Sequence, residues 1–369
     1  MNMQKIDVAA YIWPAYTGDE PRSRIFWPEG IGEWQTVKNA KIKENGYDWG
    51  RKPLWGYANE ADPFVMEMEM EIEAAVSHGV NTFIYDWYWY DDRPFLENCL
   101  NDGFLKARNR NKMKFYLMWA NHDANYTWDI RNSAQHETVV WQGAVTEKQF
   151  KAIGKRWIEN YFTQPNYYLI DNKPIIAIYD MQNFMQGLGG YEKTKENMSW
   201  LNNEAAKRGF SGVHFQFIKW GKNALNLSGV DSKIEEVTPE IALDLGFSSL
   251  THYQFVHFAD VAHGYLKAVA DMKSEYKKIE DSFKIPYFPH VSIGWDNNPR
   301  FIRPHGTVME GNTPENFESA LRIAKAYAEK HGAPMVTINS WNEWTETSYL
   351  EPDNVYGYGY LEAVRRVFG

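Results

Sequence analysis

A chain of 369 residues with 44% apolar and 24% charged content can bury a full core without covalent staples, and its single cysteine, Cys99, rules out disulfides, a cysteine-based zinc site and a CxxC redox pair. A net charge of −9 with no basic run speaks against nucleic acid and anionic membrane surfaces, which need clustered Lys and Arg. No apolar run approaches the ~18 residues of a membrane helix, and residues 1–14 lack a leader's apolar segment, so the reading is a soluble, cytoplasmic protein, or an exported one if a leader has been removed.

In chain order, β-branched or aromatic runs predict strands over 6–13, 80–87, 113–120, 174–180, 212–218, 247–253, 286–293 and 334–340. After the first strand comes a long connection, 14–61, and then a predicted helix over 62–78 with Asp62 as N-cap and Pro63 in its first turn. The third strand leads into a second long connection, 121–145, and a helix over 146–162. Further helical patterns cover 191–209, 258–279 and 313–332, the last with Thr313 as cap, Pro314 behind it and Gly332 as its stop, and a terminal helix covers 357–368. Alternating strands and helices that end in a helix predict a single (β/α)8 TIM barrel over residues 1–369, with long loops at the C-terminal face. A doubly wound open sheet is the competing architecture, but its glycine-rich phosphate loop is missing after the first strand.

In such a barrel the active site is built from residues at and just beyond the C-terminal end of each strand. Those positions carry Trp13; Asp86, Trp87 and Tyr88; Trp119, Asn121 and His122; Tyr179; His252 and Tyr253; Trp295; and Trp341, Asn342, Glu343, Trp344 and Glu346. Indole and phenol faces among carboxylates and amides suit a sugar ring, which offers C–H patches to stack on and hydroxyls to bind. With 16 Trp, 23 Tyr and 20 Phe, part of this aromatic content packs between helix and strand in any α/β core.

Glycoside cleavage needs one carboxyl as acid and a second as base or nucleophile. Glu343 and Glu346, three apart in "SWNEWTETSYLEPD", project toward one side of a turn and have no evident cationic partner. Two carboxyls in one aromatic pocket push one pKa upward and keep a proton available near neutral pH. The bland alternative makes one of them a cap of the terminal helix or a partner of Arg365. Asp86 is the next acid, facing either the mouth or a loop backbone. His122, His252 and His290 come from different strands without metal-ligand spacing, so no metal and no cofactor is expected. A serine hydrolase is set aside because the chain has no GxSxG.

The segment "WNEWTETSYLEPD" and, just after it, "YGYGYLEAVRR" resemble the C-terminal signature of the WbsX-like proteins, a group related to glycoside hydrolase family 99, the endo-α-1,2-mannosidases and mannanases. "AAYIWPAY", "WPEGIGEWQTVKNAK", "GVNTFIYDWYWYDDRPFLEN" and "FYLMWANHDANYTWD" extend the resemblance over almost the whole chain. It implies a barrel acting on poly- or oligosaccharides, with Glu343 as base on the sugar's own 2-hydroxyl and Glu346 as acid and then base. The implied route is retention through a 1,2-anhydro sugar. Thr345 and Thr347 replace the His and Gly of the family 99 pattern, and His122 replaces a glutamate common in the WbsX-like group, changes expected to touch the substrate pocket. A glycosyltransferase of surface-polysaccharide assembly and a non-catalytic glycan-binding barrel are the competing functions.

Overall fold

The computed structural model describes residues 5–369 except 19, 223, 232 and 233. Eight parallel strands form the wall: β1 Asp7–Ile12, β2 Thr82–Tyr90, β3 Lys114–Trp119, β4 Lys173–Ile178, β5 His214–Ile218, β6 Ser249–Thr251, β7 His290–Ser292 and β8 Met335–Asn339. Neighbours in the sheet run β6-β5-β4-β3-β2-β1-β8-β7. The ring closes where Leu250 pairs with Tyr287, its amide donating to Pro286 O at 2.9 Å and its carbonyl accepting from Phe288 N at 2.9 Å. Each strand coincides with a predicted run, with β6 and β7 the most shortened.

Helices pack outside the wall: α1 Met66–Ser77, α2 Glu147–Arg156, α3 Tyr191–Ala206, α4 Pro239–Leu245, α5 Tyr265–Ser282, α6 Pro314–His331 and α7 Gly359–Phe368. Thr313 caps α6 by accepting from Asn316 N, and Gly332 ends it at φ 67°, as predicted. Asp62 does not cap α1. Its side chain accepts from Phe64 N in a turn, Val65 sits at φ 54°, and the helix starts only at Met66. The helix predicted from 258 starts at Tyr265, behind a short 3-10 turn whose cap is Asp260. Between β2 and β3 the described residues form short turns rather than a full helix, so the outer layer is thinner there than eight matched pairs would make it.

The barrel interior below the mouth is polar, and its side chains pair with one another. Tyr116 OH donates to Gln216 at 3.1 Å, Gln216 donates to Ser249 at 3.2 Å, Thr251 and Thr337 share a bond of 2.8 Å, and His290 contacts Thr337 and Ser292 at 3.0 and 2.9 Å. Buried polar side chains need such partners, and here they cross-link separate strands of the ring.

Burial also sets the pH dependence of stability. Loss of solvation pushes His214 and His252 from 6.5 down to about 4, so below pH 6.5 the unfolded chain binds protons that the fold refuses, and stability is lost as pH falls toward 4. Burial pushes Glu351 from 4.5 up to about 8, so its contribution is complete below 4.5 and is lost as pH rises through 8. With divalent cations excluded, the two histidines outweigh the one glutamate up to about pH 6.5, so the urea midpoint should be highest near pH 6.5 and fall on both sides. A midpoint still rising from about pH 6.5 to about 8.5 would contradict this.

Candidate active site

Strand alternation decides which side chains reach the mouth. On β2, Asp86 and Tyr88 point into the barrel, and Trp87 between them points out, where its indole donates to Glu97 at 2.7 Å and packs on Trp157 at 5.4 Å. On β3, Met118 and Ala120 reach the cavity, and Trp119 lies outside among Phe150, Trp157 and Phe184. After β6 the same rule sends His252 outward, 4.1 Å from Phe258 and bonded to Tyr287 OH, and Tyr253 inward.

The result is a cavity of about 420 Å³ at the C-terminal end of the barrel. Trp13, Tyr88, Trp128, Tyr179, Trp220 and Tyr253 supply aromatic faces, and His122, Asn125 and Asn183 add polar groups. Its charged groups are Asp86, Asp123, Asp180, Glu343 and Glu346 against Arg300.

Arg300 organises the floor. It sits in the 3-10 turn Asn298–Arg300 of the loop after β7, held by Asp296, which accepts from Asn298 N at 3.0 Å and Asn298 Nδ2 at 2.7 Å. Its guanidinium donates to Glu343 Oε1 at 2.8 Å, to Glu346 Oε1 at 2.8 Å and to Glu33 at 2.9 and 3.3 Å. Glu33, from the loop after β1, also accepts from Trp13 Nε1 at 2.5 Å. Tyr253 OH donates to Asp86 Oδ2 at 2.9 Å and lies 3.3 Å from Glu343 Oε2, linking the deeper acids.

Burial pushes both Glu343 and Glu346 upward, Glu343 the more strongly, and Arg300 pulls both down. Mutual repulsion between the two carboxylates adds to the rise of Glu343, and they titrate as one system. Burial likewise raises Asp86, whose Oδ1 has no hydrogen-bond partner among the described residues, and lifts Asp180 to about 6. His122 is pushed down by burial and is neutral at pH 7.

Of the residues expected from the sequence, Trp13, Asp86, Tyr88, His122, Tyr179, Tyr253, Glu343 and Glu346 line this cavity. Trp87, Trp119 and His252 lie outside the wall, on the outward parity of their strands. Asn121 is buried, and its side chain brackets Asp180 by accepting from its N and donating to its O. Trp295 packs against the core, its carbonyl accepting from Met309 N. Trp341, Asn342 and Trp344 turn away from the mouth and donate to Glu71, Glu60 and Glu351, leaving Glu343 and Glu346 as the motif residues that face it. The acid pair does have a cation, contrary to expectation, and Arg365 is not it: Arg365 pairs with Glu362.

Thr345 and Thr347 do not line the cavity either. Thr347 adopts φ 55°, a conformation suited to glycine, and its hydroxyl accepts from Trp49 Nε1 at 2.8 Å and donates to Asp296 O at 3.1 Å. The three histidines considered as ligands lie apart, His122 facing the cavity, His252 the outer layer and His290 the barrel interior. Sequence reasoning missed Arg300, Glu33 and Trp128. The signal was that Glu33 and Trp128 lie in the two long connections, 14–61 and 121–145, and Arg300 in the connection between β7 and α6, since such loops are often functional.

A family model described as "Glycosyltransferase WbsX" matches residues 8–364. Two curated relatives from strains of Xanthomonas campestris pv. campestris, each an uncharacterized protein called WxcX, are 23% identical over 354 residues, which is 94% of this chain and 47% of theirs. The chain thus spans about half the length of the curated relatives it matches. Among solved structures, a GH99 endo-α-mannosidase from Bacteroides thetaiotaomicron in complex with bis-tris-propane superposes with a TM-score of 0.62 at 13% identity, covering 98% of this chain and 95% of that one. A "glycoside hydrolase-like protein" gives 0.60 at 13% identity, covering 99% and 94%. Identities this low show a shared fold. The chain therefore belongs to the WbsX family and is built on the barrel seen in the GH99 endo-α-mannosidase.

Proposed function

We propose that the protein is a retaining glycoside hydrolase acting on a poly- or oligosaccharide, with Glu343 and Glu346 as its reacting carboxyls. The observation that carries this reading is the pair itself, set on the floor of an aromatic-walled cavity and bridged by Arg300 at 2.8 Å to each. Glu346, 15% exposed, is the more open of the two and protonates the departing oxygen; burial raises Glu343 more, and the Arg300 guanidinium at 2.8 Å is what favours the ionised form that its role as base needs. Glu343 takes the proton of the sugar's 2-hydroxyl, the C1–O bond to the leaving group breaks, and O2 closes onto C1. Water deprotonated by Glu346 then opens the anhydro ring at C1, and Glu343 returns its proton to O2. The two inversions give retention, and an α-mannoside-like sugar is the substrate that the GH99 likeness suggests.

Glycosyl transfer from a nucleotide sugar is the second reading, favoured by the description of the family model. The cavity's charges weigh against it. A diphosphate would enter a site with five carboxyls, and the guanidinium there already serves three glutamates. The deciding experiment pairs a cleavage screen over α-mannans and bacterial polysaccharides with calorimetry against nucleotide sugars. Reducing ends released with retained configuration are expected. Nucleotide-sugar binding with no cleavage across the panel would reverse the assignment.

A further inference from the structure

A second cluster of acids lies directly beneath the segment that carries the acid pair. Glu60 of the loop after β1, Glu71 of α1 and Glu351 beyond β8 are 1%, 0% and 4% exposed, and one oxygen of each lies within 4.8 Å of the other two. The residues flanking the acid pair are tied to this cluster. Trp341 Nε1 donates to Glu71 Oε2 at 3.0 Å, Asn342 Nδ2 donates to Glu60 Oε1 at 2.6 Å, and Trp344 Nε1 donates to Glu351 Oε2. Cys99 Sγ adds a weak donor to Glu60 Oε2 at 3.2 Å.

Two features separate this cluster from an ordinary acidic patch. Among the described residues none of the three carboxyls, all of them buried, has a Lys, Arg or His nitrogen within 4.0 Å. In addition, Glu71 Oε1 is fully buried with no hydrogen-bond partner among the described residues, which leaves an acceptor position open for a cation to fill. Oxygens bound to one hard cation at ~2.1–2.6 Å lie no more than ~4.2–5.2 Å apart, a span that the observed spacing satisfies. An all-oxygen donor set suits calcium, magnesium or manganese rather than zinc or copper.

We infer that Glu60, Glu71 and Glu351 bind one hard divalent cation, which fixes the Trp341 to Glu346 segment and so holds the floor of the cavity in place. The cation is a positioning element, outside the cavity that takes the sugar.

The test is metal analysis of the protein as isolated, then thermal unfolding after chelator treatment and on adding CaCl2, MgCl2 or MnCl2. One of these cations should be present at about one per chain and should raise Tm by about 5 °C over the chelated protein, the scale expected for a ligand well above its Kd. Terbium offers an independent probe, because the Trp341 and Trp344 indoles beside the site should sensitise its luminescence. Glu71→Gln keeps an acceptor for Trp341 and should lose both the cation and the Tm response. Less than about a tenth of an equivalent of metal, with Tm unmoved by chelator and by all three cations, overturns the inference. So does a Tm response that survives unchanged in Glu71→Gln, and if that variant does not fold, the wild-type measurements still decide.

Discussion

Glu346→Gln is expected to lower glycan cleavage by ~10²–10⁴-fold, the usual contribution of a positioned general acid, with folding intact. Stability should survive because Arg300 keeps Glu33 and Glu343 as partners, and the Gln amide oxygen can still accept from Arg300 Nη1. The role is separable from mere packing. An aryl glycoside whose leaving group departs without protonation should lose far less in the first step, so the defect must shrink as the leaving group becomes more acidic. Values of kcat/KM, which report the first step alone, on natural glycan and on a series of aryl glycosides, with circular dichroism and Tm as controls, provide the measurement. Turnover of natural glycan at the wild-type rate would remove Glu346 from the chemistry, and a defect independent of leaving group would remove it as the acid.

The barrel was legible because its strands are short apolar runs punctuated by Gly and Pro, and because helix signals such as Thr313-Pro314 act locally. Asp62-Pro63 carried the same local signal and misled, since the turn it makes is completed by Val65 in a left-handed conformation before α1 can begin. At the site, chain position told which residues end each strand but not which way they face. Asp86 and Tyr88 were separable from Trp87 by counting alternation along β2, and that parity was available in the sequence. The fate of Trp341, Asn342 and Trp344 was not, because it depends on Glu60, Glu71 and Glu351, brought under the motif by the fold. Arg300 was hidden for a similar reason. Its contact with Glu33 spans 267 positions, and no local pattern marks one arginine of a loop as the partner of an acid pair beyond another strand.

Arg300→Met is expected to be the most damaging single substitution, destabilising the fold by ~3–5 kcal/mol, as when one member of a buried ion network is removed and the others are left uncompensated. Arg300 is buried, and so are Glu33 and Glu343, so water cannot replace the lost charge cheaply. The carboxyls relax by taking up protons. With the guanidinium gone, the cause that holds Glu343 and Glu346 down disappears, and burial drives both pKa values further up. Stability and activity then respond to pH in opposite directions. The stability loss should be smaller at low pH, where protonated glutamates no longer need a counter-charge, and larger above neutrality. Activity should suffer most near pH 7 and below, because Glu343 then holds its proton and cannot accept another from a hydroxyl, and the acid limb of the kcat/KM profile should move to higher pH. Urea unfolding at several pH values and a pH–rate profile test both limbs. An Arg300→Met protein with wild-type stability and an unmoved acid limb would mean that the guanidinium neither balances these carboxylates nor sets their protonation. Combining the substitution with Glu33→Gln should recover part of the lost stability, because one of the three stranded charges is then removed together with its partner.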